Sequence, residues 1–230
     1  MRKYADRLHG VQWIVSSQGG EVCDLQRKTV LSRKFLRRDE AERTLEVGRS
    51  FGFSTVAYTV DEVFTESTWD DGLDFYVDLA GLKPVEIERA ELLKRDIFKV
   101  IWIGTAERLT KVAAEMPATT IQVVRTHKRF LEFMPADVSK GTALEVLAAR
   151  LGINASEAVV FGDGENDIPM FEWAGASVAM PHGWPLALKR ATCVAPEGAD
   201  ETALARAVKM ILSEEGNIQH STLNFQRPSQ

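Results

Sequence analysis

Two carboxylates four residues apart, Asp163 and Asp167, stand in Phe161-Gly162-Asp163-Gly164-Glu165-Asn166-Asp167-Ile168-Pro169, directly after the apolar run Ala158-Val159-Val160-Phe161. A short apolar run closed by glycine reads as a strand buried on both sides of a parallel sheet. Asp163 then falls at the strand's carboxyl end and Asp167 at the start of the next helix. A glycine-containing turn can bring both into one crevice, where open α/β sheets bind their ligands. Two hard carboxylate oxygens in that place suit Mg²⁺. The same residues also read as a plain strand-to-helix turn, with Asn166 or Asp167 capping the helix and Pro169 in its first turn. A calcium EF-hand loop is excluded: counted from Asp163, the sixth position is Ile168 instead of Gly and the twelfth is Ala174 instead of Glu.

Lys140 lies 23 residues before Asp163, in Asp137-Val138-Ser139-Lys140-Gly141-Thr142-Ala143-Leu144. A helix followed by a parallel strand covers that distance and returns the chain to the same sheet edge, so Lys140 and Asp163 can converge. An ammonium there would neutralise a phosphoryl group, as phosphoryl transfer requires. Read blandly, Lys140 is a surface residue at a helix N-terminus, where the macrodipole disfavours a cation.

The elements that must hold these residues alternate regularly in the second half. A helix over 139–151 carries Leu144, Leu147, Ala148 and Leu151 on one face and stops at Gly152. A strand over 158–161, a short helix to about Ala174, a strand over 176–180, a helix over 185–190, a strand over 193–195 and a helix over 200–212 follow. This is the pattern of a doubly wound α/β layer. The middle of the chain reads as an α+β block: strands over 21–25 and 29–33, a helix over 39–51, strands over 54–59, 63–65 and 99–103, a helix over 106–116 ended by Pro117, and a hairpin of 120–125 with 130–134. The expected domains are therefore a discontinuous α/β core of 1–20 and 136–213, an inserted α+β domain of 21–135, and a frayed tail from Glu214 to Gln230.

Composition narrows the partners. With 230 residues, 45% hydrophobic and 27% charged, the chain is neither disordered nor fibrous. A net charge of −5 argues against a nucleic-acid partner. The basic run Arg33, Lys34, Arg37 and Arg38 is followed at once by Asp39, Glu40 and Glu42, the signature of a solvated face. No apolar stretch approaches the roughly 18 residues of a membrane helix and no signal peptide is evident, so no membrane partner is expected and the cytoplasm is the expected compartment. Cys23 and Cys193 have no His or Cys at metal-ligand spacing and read as small buried apolar residues.

Ser139-Lys140-Gly141-Thr142-Ala143-Leu144, Gly162-Asp163-Gly164-Glu165-Asn166-Asp167-Ile168-Pro169-Met170 and Ala174-Gly175-Ala176-Ser177-Val178-Ala179-Met180 together resemble the third and fourth motifs of the Cof-type haloacid dehalogenase-like phosphatases, of cap type IIB. Ser16-Ser17-Gln18-Gly19-Gly20-Glu21-Val22 resembles the Asn-Gly-Ala loop leading from that family's core into its cap, which makes the α+β block the cap. The resemblance implies a Rossmann-like α/β core and a Mg²⁺-dependent phosphatase of small phosphorylated metabolites such as sugar phosphates. By it, Lys140 is the catalytic lysine that also contacts phosphate. Asp163 and Asp167 are the metal residues, Asp167 acting through water, and Asn166 and Gln18 lie by the substrate. Gln18 stands where the family usually has Asn, and Pro181-His182-Gly183 where it usually has an Asn-Ala pair, so His182 is a candidate substrate contact and a candidate surface histidine alike. Trp69, Trp102 and Phe64 are candidate cap-lining aromatics.

One family signature is missing. The nucleophile is the first Asp of an Asp-x-Asp pair on the first strand, and no two aspartates here are separated by one residue. Asp70-Asp71-Gly72-Leu73 follows Glu66-Ser67-Thr68-Trp69 instead of an apolar strand. The residues present are expected to lack a strand–helix–strand unit, on the order of 30 or more residues. They are expected to be inactive alone and to self-associate through exposed sheet edges. A non-catalytic protein that binds a phosphorylated ligand or a protein partner is the alternative reading. Asp6 and Asp24 are the fallback carboxylates.

Overall fold

The computed structural model describes residues 10–115 and 120–218, and the chain divides into two compact units, Met1–Ser139 and Lys140–Gln230. Asp6, Met116, Pro117 and the last part of the expected tail lie outside the described residues.

The first unit opens with β1 (Trp13–Ser16), β2 (Glu21–Asp24) and β3 (Val30–Arg33), an antiparallel sheet in that order. The sequence reading assigns 1–20 to the α/β layer, yet Trp13–Ser16 pairs with Glu21–Asp24, with Ser16 opposite Glu21. The reason is the connection: Ser17–Gly19 form a single tight turn, and a turn that short returns the chain antiparallel. The β2–β3 turn is closed by the Asp24 carboxylate, which accepts the backbone N–H groups of Gln26, Lys28 and Thr29 at 3.0, 3.0 and 2.6 Å. Arg33 is exposed, as the solvated-face reading expects, and with Arg27 it also grips the fully buried Glu21, at 2.9 and 2.8 Å respectively.

The rest of the unit is a six-stranded sheet of β4 (Ser54–Thr59), β5 (Val63–Thr65), β6 (Val85–Glu86), β7 (Ile97–Ile103), β8 (Ile121–His127) and β9 (Phe130–Pro135), in the order β6-β5-β4-β7-β9-β8. Helices α1 (Arg38–Ser50), α2 (Asp71–Ala80), α3 (Arg89–Leu92) and α4 (Ala106–Glu115) accompany it. Strand side chains alternate between faces, so this sheet carries two cores. Leu45, Val100, Trp102, Leu109, Leu131 and Phe133 form one, while Val56, Leu73, Tyr76, Ile101, Ile103 and Phe130 form the other. The sequence reading contains no helix at 71–80. Its signals are Asp70, whose side chain accepts the N–H groups of Gly72 and Leu73, and Gly81, whose φ of 62° ends the helix. Asp70 is thus a helix cap.

The second unit alternates helix and strand: α5 (Lys140–Leu151), β10 (Val159–Gly162), α6 (Ile168–Trp173), β11 (Ala176–Ala179), α7 (Pro185–Arg190), β12 (Cys193–Val194) and α8 (Ala203–Ile218). The three strands are parallel in the order β10-β11-β12, with Val159 opposite Ala176 and Val178 opposite Cys193. One face packs Val160, Met170, Phe171, Ala179 and Ala187; the other packs Val178, Met180, Ala203 and Ala207. Helix α8 continues through Glu214 to Ile218, beyond the point where the sequence reading frays the chain. Its apolar positions Ala203, Ala207, Met210 and Ile211 keep one face on the sheet. Among the described residues no helix is long and apolar enough to cross a membrane.

Candidate functional site

The second unit brings together Lys140, Asp163, Asn166 and Asp167. The apolar strand β10 delivers Asp163 at its carboxyl end, and a one-turn segment, Glu165–Asp167, links it to α6, with Pro169 in that helix's first turn. Helix α5 packs against α6, which carries Lys140 at its own first residue to Asp167. Gly162 is required at the end of the strand, because a Cβ there would lie 2.5 Å from the Asp167 carboxyl carbon.

The structure separates the two carboxylates that the sequence pairs. Asp167 is 2% exposed, and both of its oxygens are engaged. Oδ2 accepts the backbone N–H groups of Asp163 and Gly164 at 2.8 and 2.9 Å, while Oδ1 accepts the ammonium of Lys140. Asp167 therefore shapes the loop and fixes the lysine. It also offsets the unfavourable position of a cation at a helix N-terminus. Asp163 is exposed, and its carboxylate projects from a backbone that is itself pinned, since the Trp184 N–H donates to the Asp163 carbonyl at 2.7 Å. Asn166 is half-buried in the same turn.

The result is an exposed Asp163 and a part-exposed Lys140 ammonium, both tied to Asp167, the first through its backbone N–H and the second through its side chain. Among the described residues no three His, Cys, Asp or Glu side chains gather to hold a metal ion. Magnesium does not need such a cage: it is usually held by one or two carboxylates, with water and substrate phosphate completing the shell. Asp163 fits as one such carboxylate.

Other candidates fall elsewhere. Gln18 lies in the first unit, in the tight turn after β1, with φ 60° and ψ 19°. Trp102 and Phe64 are core residues, 1% and 2% exposed, and the Trp102 indole N–H donates to the Thr44 carbonyl at 3.0 Å. Trp69 is half-buried, donating to Asp74 at 2.8 Å with Lys83 over its ring. Cys23 is buried and Cys193 half-buried, both as free thiols. Sequence reasoning missed the hold that Trp184 exerts on Asp163. Backbone hydrogen bonds between loops distant in sequence leave no residue-type signal.

The second unit thus sets a lysine and two aspartates at the carboxyl end of a parallel strand. Comparison takes this to a family. The sequence profile of the haloacid dehalogenase-like hydrolases matches residues 1–208, and the chain belongs to that family. It is 28% identical over 205 residues to the Bacillus subtilis protein named "Putative phosphatase YxeH", covering 83% of this chain and 74% of that protein. The crystal structure of a haloacid dehalogenase-like hydrolase from Bacteroides thetaiotaomicron superposes with a TM-score of 0.71 at 27% identity, covering 86% of this chain and 76% of that one. A sugar phosphatase of haloacid dehalogenase subclass IIB superposes with a TM-score of 0.78 over 91% of this chain and 78% of that one. At 18% identity that last likeness speaks for the fold alone.

Proposed function

We propose that the chain binds small phosphorylated metabolites, such as sugar phosphates, as part of a Mg²⁺-dependent phosphatase. The observation that carries the reading is the Lys140–Asp167 pair, with Asp167 also holding the backbone N–H of the exposed Asp163. Lys140 holds a phosphoryl oxygen, and Asp167, with its charge already shared among three N–H donors, keeps that ammonium in place. Asp163 would hold the magnesium ion, which when bound neutralises charge on the phosphoryl group. Asn166 lies alongside the phosphate, and Gln18 is assigned to the substrate by family resemblance.

Covalent phosphoryl transfer needs a carboxylate in line with phosphorus. The sequence holds no Asp-x-Asp pair, Asp70 caps a helix and Asp24 closes a turn. The 230 residues alone are therefore proposed to bind phosphate without hydrolysing its esters. This observation also favours the second reading, a non-catalytic binder of a phosphorylated ligand or a partner. Calorimetry of the chain with inorganic phosphate in Mg²⁺ tests the site: binding should require the metal, fail with chelator and weaken in Asp163→Asn. Metal-independent binding that Asp163→Asn leaves unchanged would show that the site is misplaced. Turnover of an aryl phosphate above background, abolished by chelator, would show that a nucleophile has been missed.

A further inference from the structure

The residue after Lys140 is a glycine in the first turn of α5, buried where that helix packs against α6. A Cβ on Gly141 would lie 2.5 Å from the Pro169 carbonyl oxygen, 2.8 Å from its carbonyl carbon and 3.2 Å from its Cβ. The obstacle is backbone, and it is stiff: Pro169 stands in the first turn of α6, and the proline ring locks its own φ. Ordinary contact begins at 3.4 Å, so in a close-packed interior a methyl group at residue 141 must open this one by roughly 0.9 Å. Alanine outranks glycine as a helix former, so the helix itself gives no reason for glycine here.

The neighbours of this contact set its consequence. Asp167 lies two residues before Pro169, and it accepts the ammonium of Lys140, which lies one residue before Gly141. The glycine-on-proline contact and the ion pair therefore join the same two segments side by side. Asp167 is not free to follow a displaced lysine, because its other oxygen accepts the Asp163 and Gly164 amides at 2.8 and 2.9 Å. We infer that Gly141 is a positioning residue for Lys140: the missing side chain lets α5 seat on the Pro169 carbonyl, and that seat holds the ammonium against Asp167. The placement of Lys140 stands on this geometry, while its consequence for phosphate rests on the site proposed above.

The test uses the 230-residue chain and two readouts. One is the rate at which formaldehyde and cyanoborohydride methylate the Lys140 amine, mapped by mass spectrometry against the exposed Lys189 of the same unit. The other is the calorimetric affinity for inorganic phosphate in Mg²⁺. Ion pairing protects an amine from methylation, so Gly141→Ala should raise the Lys140 rate toward that of Asp167→Asn and leave Lys189 unchanged. It should also weaken phosphate binding about fivefold, the scale of one net hydrogen bond. Pro169→Gly approaches the seat from the other side, keeping the carbonyl but freeing the backbone that holds it. It should raise the Lys140 rate by less, and it carries the test should the alanine variant not fold. A Lys140 rate unchanged in both variants overturns the assignment. A fall in phosphate affinity without a rise in that rate overturns it too, since the glycine would then act by another route. If the unaltered chain binds no phosphate while the Lys140 rate responds as expected, the phosphate site falls and the role of Gly141 stands.

Discussion

Each unit holds a lysine–carboxylate pair, and the two differ in which side meets water. In the first unit Lys99 and Glu132 sit on adjacent strands with side chains 8% and 5% exposed, 2.7 Å apart. Lys99 also lies over the Tyr58 ring, and the second oxygen of Glu132 accepts the Thr126 hydroxyl at 2.7 Å. That pair is closed on both sides. In the second unit Asp167 is equally sealed, at 3%, but the Lys140 side chain is 31% exposed. The carboxylate there is saturated by the protein and the ammonium is not. A buried ion pair with both ends enclosed spends its hydrogen bonds internally, whereas one open on the cation side presents a preorganised positive charge to a ligand. Access to solvent, more than the pairing itself, separates Lys99, enclosed by the protein, from Lys140, which the proposed function assigns to phosphate.

The sharpest way to break this contrast is to remove one partner from each pair. Glu132→Ala leaves a buried ammonium uncompensated and should cost about 3–5 kcal/mol of unfolding free energy in urea titrations. Replacing both partners, Lys99→Met with Glu132→Leu, should recover most of that loss. Lys140→Ala should behave oppositely. Asp167 keeps its two backbone N–H partners, so stability should move by no more than about 1 kcal/mol. Phosphate affinity should fall about ten- to hundredfold, as expected for losing a hydrogen bond to a charged group. In a catalytically competent assembly, turnover should fall roughly a hundred- to thousandfold. Equal destabilisation by the two single changes would erase the distinction.

A smaller effect is expected from Gly162→Ala, which forces a methyl group against the Asp167 carboxylate. It should cost about 1–3 kcal/mol and weaken phosphate binding with it, because the displaced carboxylate no longer holds Lys140. The smallest effect belongs to a third pair, Lys34 and Asp137 at 2.5 Å, both substantially exposed. The hydrogen bond from Lys34 holds the Asp137 carboxyl below its usual range. A carboxyl whose folded value is depressed contributes stability above the unfolded value, near 3.9, and loses it as pH falls through the folded value. Lys34→Gln should thus lower stability by a few tenths of a kcal/mol at neutral pH, with the difference vanishing near pH 2 in acid-unfolding curves.

The reach of the sequence differed between the units. In the second, apolar runs bounded by glycine and proline placed every strand within a residue or two, because strands buried on both faces have little freedom in composition. In the first, helix α2 escaped notice although Asp70 and Gly81 bracket it and Leu73, Tyr76, Val77 and Ala80 recur at helical spacing, because the sequence reading weighs Asp70-Asp71-Gly72-Leu73 only as a nucleophile motif. The assignment of 1–20 to the α/β layer failed to anticipate the β1–β2 pairing, because the strand itself carries no mark of its partner.

By itself the sequence determined that Lys140, Asp163, Asn166 and Asp167 occupy the ends of successive α/β elements, since residue spacing and buried-strand patterning are local properties. It also determined that no Asp-x-Asp pair accompanies them. Only the tertiary structure decided that Asp167 turns inward to two amides and a lysine while Asp163 turns outward. It likewise decided that the Trp184 backbone N–H reaches the Asp163 carbonyl. Those outcomes depend on which backbone amides and side chains from distant segments reach each oxygen, and such contacts are set by packing across the sheet, which spacing along one chain does not encode.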